Sequence, residues 1–241
     1  MLRGCTNWNS VAAKPDRIFD SREAASTALA DHIADVLKTA ITKRGNGSLV
    51  VSGGTSPVAA FHALRQKVLS WRDVTIVPSD ERLVPVDHAD SNEGMIRREL
   101  LQGEATAAQL LSLVGEGVPG IERLAKLNSQ LGNIHRPLDV VVLGMGDDGH
   151  TASLFPNSPD IGNALNSSDD CVVQQPPHLD IARLSLTPAF LLDASEIILL
   201  FFGDEKRAIY DRAAEGGDSR ELPVRFLLEQ KLVPVTMFWA P

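Results

Sequence analysis

The sequence predicts an α/β domain: a largely parallel sheet flanked by helices. Short apolar runs alternate along the chain with segments of helical spacing, which is the pattern of strand-helix-strand units. Several of the runs are apolar at successive positions, as strands covered on both faces are. No internal repeat and no linker rich in Pro, Gly or Ser divides the 241 residues, so a single domain spanning 1–241 is expected.

The elements follow in order. "DSREAASTALADHIADVLKTAITKRGNG" reads as an opening helix, with Asp20 as its N-cap and Glu23 in the capping-box position. Leu29, Ile33, Val36, Leu37, Ala40 and Ile41 form its apolar stripe, and Gly45 or Gly47 ends it. The strands are "SLVVS", "VTIVP", "LDVVVLG", "EIILLFF" and "VPVTMFW", with "CVVQQ" and "RLSLT" as additional ones. Helical spacing covers 56–69, 91–101, 120–132, 204–214 and 222–230.

Composition narrows the function. Hydrophobic residues make up 44% and charged residues 22%, ordinary for a soluble globular protein. A formal net charge of −8 has the wrong sign for a nucleic-acid partner. A small anionic substrate remains open if a few cations and backbone N–H groups make a local positive pocket. Cys5 and Cys171 are far apart and lack CxxC spacing, which indicates neither a disulfide framework nor a zinc site. The N-terminus lacks the apolar core of a signal peptide and no run is long enough to span a membrane. A cytoplasmic monomer without membrane contact is expected.

In open α/β sheets ligands collect beyond the carboxyl ends of the strands, so the loops that follow strands carry the chemistry. In "VVSGGTSPVAAFHAL", Gly53 and Gly54 let the backbone approach a ligand, Ser56 is placed to cap the next helix and Pro57 suits its first position. Uncommitted N–H groups there would bind an anion such as phosphate. A plain strand-to-helix turn is the alternative. In "VTIVPSDERLVPVDHADSNEGM", Asp80, Glu81 and Arg82 end a buried strand, where charges must be solvated, paired or used. Arg82 offers a planar fork for phosphate or carboxylate oxygens, and Ser91 is a plausible cap for the next helix with Asn92 in its first turn. A local ion pair is the competing reading.

The third loop, "GMGDDGHTASLFP", formally matches G-x-G-x-x-G after a strand. A dinucleotide site is rejected: Asp147 and Asp148 would repel a pyrophosphate, Pro156 and Pro159 curtail any helix begun there, and Asp169 and Asp170 precede an apolar run instead of ending one. What remains is a polar loop presenting His150, with Asp148 two residues upstream to set its tautomer and orientation. That pair suits a general base near neutral pH.

Taken together, "SGGTSP", "DERLVPVDHADSNEGM" and "GMGDDGHTASLFP" resemble the three signature blocks of the 6-phosphogluconolactonase family, in order. "RLSLT", with Ser185 in place of a threonine, and "GDEK" resemble two weaker ones. Pro78 and Ser79 stand where the family usually carries larger or apolar residues. The resemblance implies a modified Rossmann-like fold that uses no nucleotide, shared with glucosamine-6-phosphate deaminase and ribose-5-phosphate isomerase. It implies hydrolysis of 6-phosphogluconolactone to 6-phosphogluconate in the oxidative pentose phosphate pathway. No cofactor is expected, and no metal, since Asp147, Asp148 and His150 lie on one loop with no second His or Cys cluster to complete a shell. On this reading His150 is the base and Asp148 its orienting partner, while Gly53, Gly54, Thr55, Asp80, Arg82, Arg183 and Lys206 bind the phosphorylated sugar lactone. The related deaminases typically carry a glutamate where this chain has Phe155, and DEY where it has Asp80, Glu81 and Arg82. The lactonase reading is therefore favoured over deaminase-type isomerisation. A non-catalytic sugar-phosphate sensor would have no need of His150 and Asp148.

Overall fold

The computed structural model describes residues 16–115, 123–177 and 179–241. Cys5, and the first residues of the helix expected over 120–132, lie outside the described residues. The chain runs β1 (Arg17–Ile18), α1 (Arg22–Arg44), β2 (Gly47–Val51), α2 (Val58–Leu64), β3 (Val74–Pro78), β4 (Asp80–Arg82), α3 (Asn92–Glu99), β5 (Gln109–Leu110), α4 (Leu124–Leu131), β6 (Val140–Gly144), α5 (Ile161–Leu165), β7 (Cys171–Gln174), β8 (Arg183–Leu186), α6 (Pro188–Leu191), β9 (Ile197–Phe202), α7 (Asp204–Ala214), α8 (Arg225–Glu229) and β10 (Val235–Ala240).

The opening helix is capped one residue later than its sequence suggests. Ser21 Oγ, not Asp20, accepts from Ala24 N at 3.1 Å, so Glu23 sits one position too early for a capping box. Gly45, at φ 84°, ends the helix and donates to Ile41 O at 2.8 Å. Leu29, Ile33 and Leu37 are buried along its inner face, each worth about 1.5–3 kcal/mol of apolar transfer. The second helix also starts late: Pro57 is its N-cap and Ser56 makes no capping bond, so helical backbone begins at Val58.

The main sheet has the order β1-β10-β9-β6-β2-β3-β5, with every pairing parallel. Its inner strands β2, β3, β6 and β9 are buried along nearly all their length, covered on both faces, which is why they read as apolar runs. Leu49 and Val51 of β2 join the layer beneath α1, α2 and α3, with Ile33, Phe61 and Ile96. Val50 between them joins the opposite layer with Leu127 and Leu131 of α4, Phe190 of α6 and Leu227 of α8. Chain order reverses between β2 and β6: β3 and β5 build outward from one, β9, β10 and β1 from the other. The crevice beyond their carboxyl ends is thus a topological switch point, where open α/β sheets take their ligands.

A second sheet, β4-β8-β7, is antiparallel. Asp80–Arg82 belongs to it and does not continue the preceding strand; the chain crosses over at Ser79. There the N–H donates to Val51 O at 2.8 Å in the main sheet, while the carbonyl accepts from Leu186 N at 2.9 Å in the small one. The fully buried carboxylate of Glu81 holds the segment beyond. Its Oε1 accepts from the backbone N–H groups of Arg82 (2.8 Å) and Asn92 (2.7 Å), and its Oε2 from Ser91 Oγ (3.0 Å) and Glu93 N (2.6 Å). Burial pushes this carboxyl above the ordinary glutamate value, against the pull of those hydrogen bonds. Ser91 Oγ in turn accepts from Gly94 N at 2.9 Å, the expected N-cap of α3.

A glutamine in place of Glu81 would replace one acceptor oxygen with an NH2 donor, facing donors that have no other partner. Glu81→Gln should therefore destabilise the fold by on the order of 3 kcal/mol, measured by denaturant unfolding of the two proteins side by side.

Candidate active site

The switch-point crevice is a cleft of about 310 Å³. One wall is the loop after β2, Gly53 to Ser56; the facing wall is the loop after β6, with Met145, Gly146, Asp147, His150 and Ala152. Arg82, Asn92 and Arg183 enter from the side of the small sheet, and Lys206 from the first turn of α7. The loops after β2, β6 and β9 converge because parallel strands deliver their following loops to the same edge, and β4 and β8 of the small sheet bring Arg82 and Arg183 to it.

His150 Nδ1 lies 2.6 Å from Asp148 Oδ1, and the same oxygen accepts from His150 N at 3.0 Å. With Nδ1–H donated to the carboxylate, Nε2 carries the lone pair, and among the described residues it has no hydrogen-bond partner. Burial would raise the Asp148 carboxyl, but the hydrogen bond from His150 and its charge outweigh it and leave the group below the usual aspartate value. Asp148 itself stands behind the imidazole, off the cleft wall. Gly146 is needed beneath the ring, since a Cβ there would lie 2.1 Å from His150 Cε1. The ring also stacks on Phe155, with centroids 4.2 Å apart and planes inclined by 30°.

After His150 the loop is pinned at three points. Thr151 Oγ1 donates to Gly144 O at 2.8 Å, Ser153 N donates to Ser185 Oγ at 3.1 Å, and Ser153 Oγ donates to Asp80 Oδ2 at 2.6 Å. Between them Ala152 holds φ at 50°, a left-handed conformation that costs a residue with a Cβ about 1–2 kcal/mol. The surrounding bonds over-determine it, as at other strained functional loops. Asp80 Oδ1 accepts a further hydrogen bond from Ser79 Oγ at 2.9 Å. Asp80 therefore lines the cleft while its carboxylate anchors the histidine loop to β4.

Arg82 and Arg183 are directly opposite in the β4–β8 register. Like charges in such a pair repel. Burial, then the charge of Arg82, lowers the Arg183 guanidinium below the usual arginine value, with Asp80, Asp90 and Glu81 pulling it back. Arg82 Nη1 donates to Asp90 O at 2.6 Å and to Asn92 Oδ1 at 2.7 Å. The Nε atoms of both arginines are buried without a partner. Lys206 Nζ donates to Met145 O at 2.7 Å and lies 3.6 Å from Asp147 Oδ1. Across the cleft, the N–H groups of Gly53, Gly54 and Thr55 have no acceptor among the described residues. Gly53 admits Asn92 to this wall, because a Cβ there would fall 2.0 Å from Asn92 Oδ1.

The residues singled out from the sequence therefore gather in one place, Asp148 through its bond to His150. Sequence reasoning did not single out Asn92, whose Nδ2 donates to Asp80 O at 2.8 Å, or Phe155 as a neighbour of His150. Both lie inside the second and third blocks, so position there was the available signal. Ser153 lies in the third block too, but its pairing with the Asp80 carboxylate seventy-three residues away is not signalled by position there. Among the described residues no group of three or more His, Cys, Asp or Glu side chains is placed to hold a metal ion. No helix among them is long and apolar enough to cross a membrane.

Comparison with known proteins adds an independent line. Residues 20–239 match the family model described as glucosamine-6-phosphate isomerases/6-phosphogluconolactonase. A 6-phosphogluconolactonase of Pseudomonas aeruginosa is 40% identical over 228 residues, covering 93% of this chain and 94% of its own. One from Mesorhizobium japonicum is 39% identical, with coverages of 98% and 95%. The crystal structure of a 6-phosphogluconolactonase from Shewanella baltica superposes with a TM-score of 0.91 at 37% identity, covering 97% of this chain and 100% of that one. A monomeric glucosamine-6-phosphate deaminase, 18% identical with a TM-score of 0.73 and coverages of 93% and 97%, shares the fold. With its switch-point cleft, its histidine-carboxylate pair and a match over nearly its whole described length, this chain belongs to the glucosamine-6-phosphate isomerase/6-phosphogluconolactonase family.

Proposed function

We propose that this chain hydrolyses 6-phosphogluconolactone to 6-phosphogluconate, the lactone-opening step of the oxidative pentose phosphate pathway. The observation that carries the reading is the joint placement of a carboxylate-oriented imidazole and three cations on one cleft. The relatives named 6-phosphogluconolactonase at about 40% identity support it.

In this mechanism the phosphate is held between Arg82 and Arg183, with Lys206 and the N–H groups of Gly53, Gly54 and Thr55 within the same cleft. A dianion there relieves the repulsion between the two guanidiniums, and it supplies acceptors for their buried Nε atoms. Binding a group that does not react fixes the distance from phosphate to carbonyl, and so brings the carbonyl to His150. His150 Nε2 takes a proton from water as the water oxygen attacks the lactone carbonyl. The imidazolium, stabilised by ionised Asp148, then returns the proton to the ring oxygen as the carbon-oxygen bond breaks. No covalent enzyme intermediate is needed. Asp80 acts by holding the histidine loop through Ser153. Phe155 supplies no carboxylate for the proton transfers of an aldose-ketose isomerisation, which sets this site apart from deaminase chemistry.

The direct test is a time course with freshly prepared lactone, corrected for spontaneous hydrolysis; a rate no faster than the blank would refute the reading. His150→Ala should lower kcat by about a hundredfold or more while 6-phosphogluconate still binds within a few-fold of the parent affinity. Arg82→Met or Arg183→Met should raise KM about tenfold or more, the usual size of a lost charge-assisted contact. The non-phosphorylated lactone should be a poor substrate, and equal efficiency on both lactones would rule out a phosphate site. Activity should survive exhaustive chelation; loss restored by Zn²⁺ or Mg²⁺ would replace the free base with a metal-bound water.

A further inference from the structure

Phe155 touches both working parts of the cleft. Its ring stacks on the His150 imidazole at 4.2 Å, and the Arg183 guanidinium carbon lies 5.2 Å from its centroid. We propose that Phe155 is a positioning residue that sets the plane of the imidazole and the reach of the Arg183 guanidinium together. The inference rests on the lactonase reading for its kinetic consequences and on packing alone for the rest.

The imidazole needs a second restraint. Its bond to Asp148 fixes one nitrogen at 2.6 Å, but rotation about that bond would still swing Nε2 through an arc. Gly146 bounds the ring where a Cβ would fall 2.1 Å away, and the stacked ring of Phe155 closes the remaining freedom. Offset aromatic contacts of this kind are individually modest, yet a misplacement of about 1 Å at a reacting group costs up to a hundredfold in rate.

Arg183 depends on the ring still more. Arg82 is held by Asp90 O and Asn92 Oδ1, whereas among the described residues the Arg183 guanidinium has no hydrogen-bond acceptor, and its Nε is buried and unpartnered. The aromatic ring is what it rests against, in a cation-π contact. Phe155 is itself 8% exposed, and the backbone two residues before it is fixed by Ser153 to Asp80 of β4 and Ser185 of β8. Those same strands carry Arg82 and Arg183. The ring thus ties the spacing between base and phosphate to the frame that holds the phosphate.

The test compares Phe155→Leu, which keeps apolar bulk and loses the ring, with Phe155→Tyr, which keeps the ring; circular dichroism establishes that both fold. Phe155→Leu should lower kcat about tenfold, raise KM for the phosphorylated lactone several-fold and weaken inorganic phosphate binding to match. Phe155→Tyr should stay within about threefold of the parent in all three. In proton NMR the His150 ring C–H resonances should shift in Phe155→Leu as the ring current is lost, and stay near parent positions in Phe155→Tyr. Parent-like kcat and phosphate affinity in Phe155→Leu, equal impairment of the two variants, or unmoved His150 resonances in Phe155→Leu would each overturn the proposal. A parent that fails to accelerate lactone hydrolysis overturns the functional reading by itself. The phosphate titration and the resonances then decide the positioning role without reference to turnover.

Discussion

The peptide of Ser79 belongs to two sheets, and the cleft depends on that. Its N–H donates to Val51 O in the parallel sheet and its carbonyl accepts from Leu186 N in the antiparallel one. This double pairing turns the chain off the end of β3 and places Asp80, Glu81 and Arg82 beside the crevice instead of farther along the main sheet. Had the strand continued, Arg82 would have run past the switch point, away from the loop of His150. Because backbone groups of a buried segment must find partners, the hinge is specified by hydrogen bonding, and the charges follow it.

Three consecutive charged residues then do three different jobs. Asp80 reaches across to Ser153 and fixes the histidine loop. Glu81 points into the protein and gathers the start of α3. Arg82 points into the cleft and meets Arg183 across the register. Side chains along a strand alternate between faces, which separates Glu81 from its two neighbours and lets acid and base coexist within three residues. The small sheet is therefore the part of the molecule that links the His150 loop to the cations, through Ser153 and Ser185 on one side and Arg183 on the other.

The main sheet contributes reach and rigidity. Parallel strands present their carboxyl ends together, so the loops after β2, β6 and β9 arrive at one edge without any direct sequence relation between them. The apolar layers on both faces hold those strand ends still. Strain at Ala152 and the unpartnered Nε atoms of Arg82 and Arg183 lie at that edge, where a ligand can use them.

The sequence by itself determined the fold class, because strands buried on both faces must be apolar at every position and the helices between them must keep a 3.6-residue stripe. It also made the contact of Asp148 with His150 legible, since the two are near neighbours and the contact is a local matter of one loop. Cap positions were less legible: Asp20 and Ser21 are both good capping side chains until the backbone angle at the helix start selects one. Glu81 read as an ambiguous charge for the same kind of reason, as nothing local says whether a carboxylate at a strand end faces water or a helix terminus. Only the tertiary structure decided that Asp80 binds Ser153, that Arg82 faces Arg183, and that Phe155 stands between His150 and a guanidinium. The Asp80 and Arg82 contacts join residues 73 and 101 positions apart. Periodicity and motif spacing act within a single segment, whereas those contacts are set by sheet register and by the turn of the chain at Ser79.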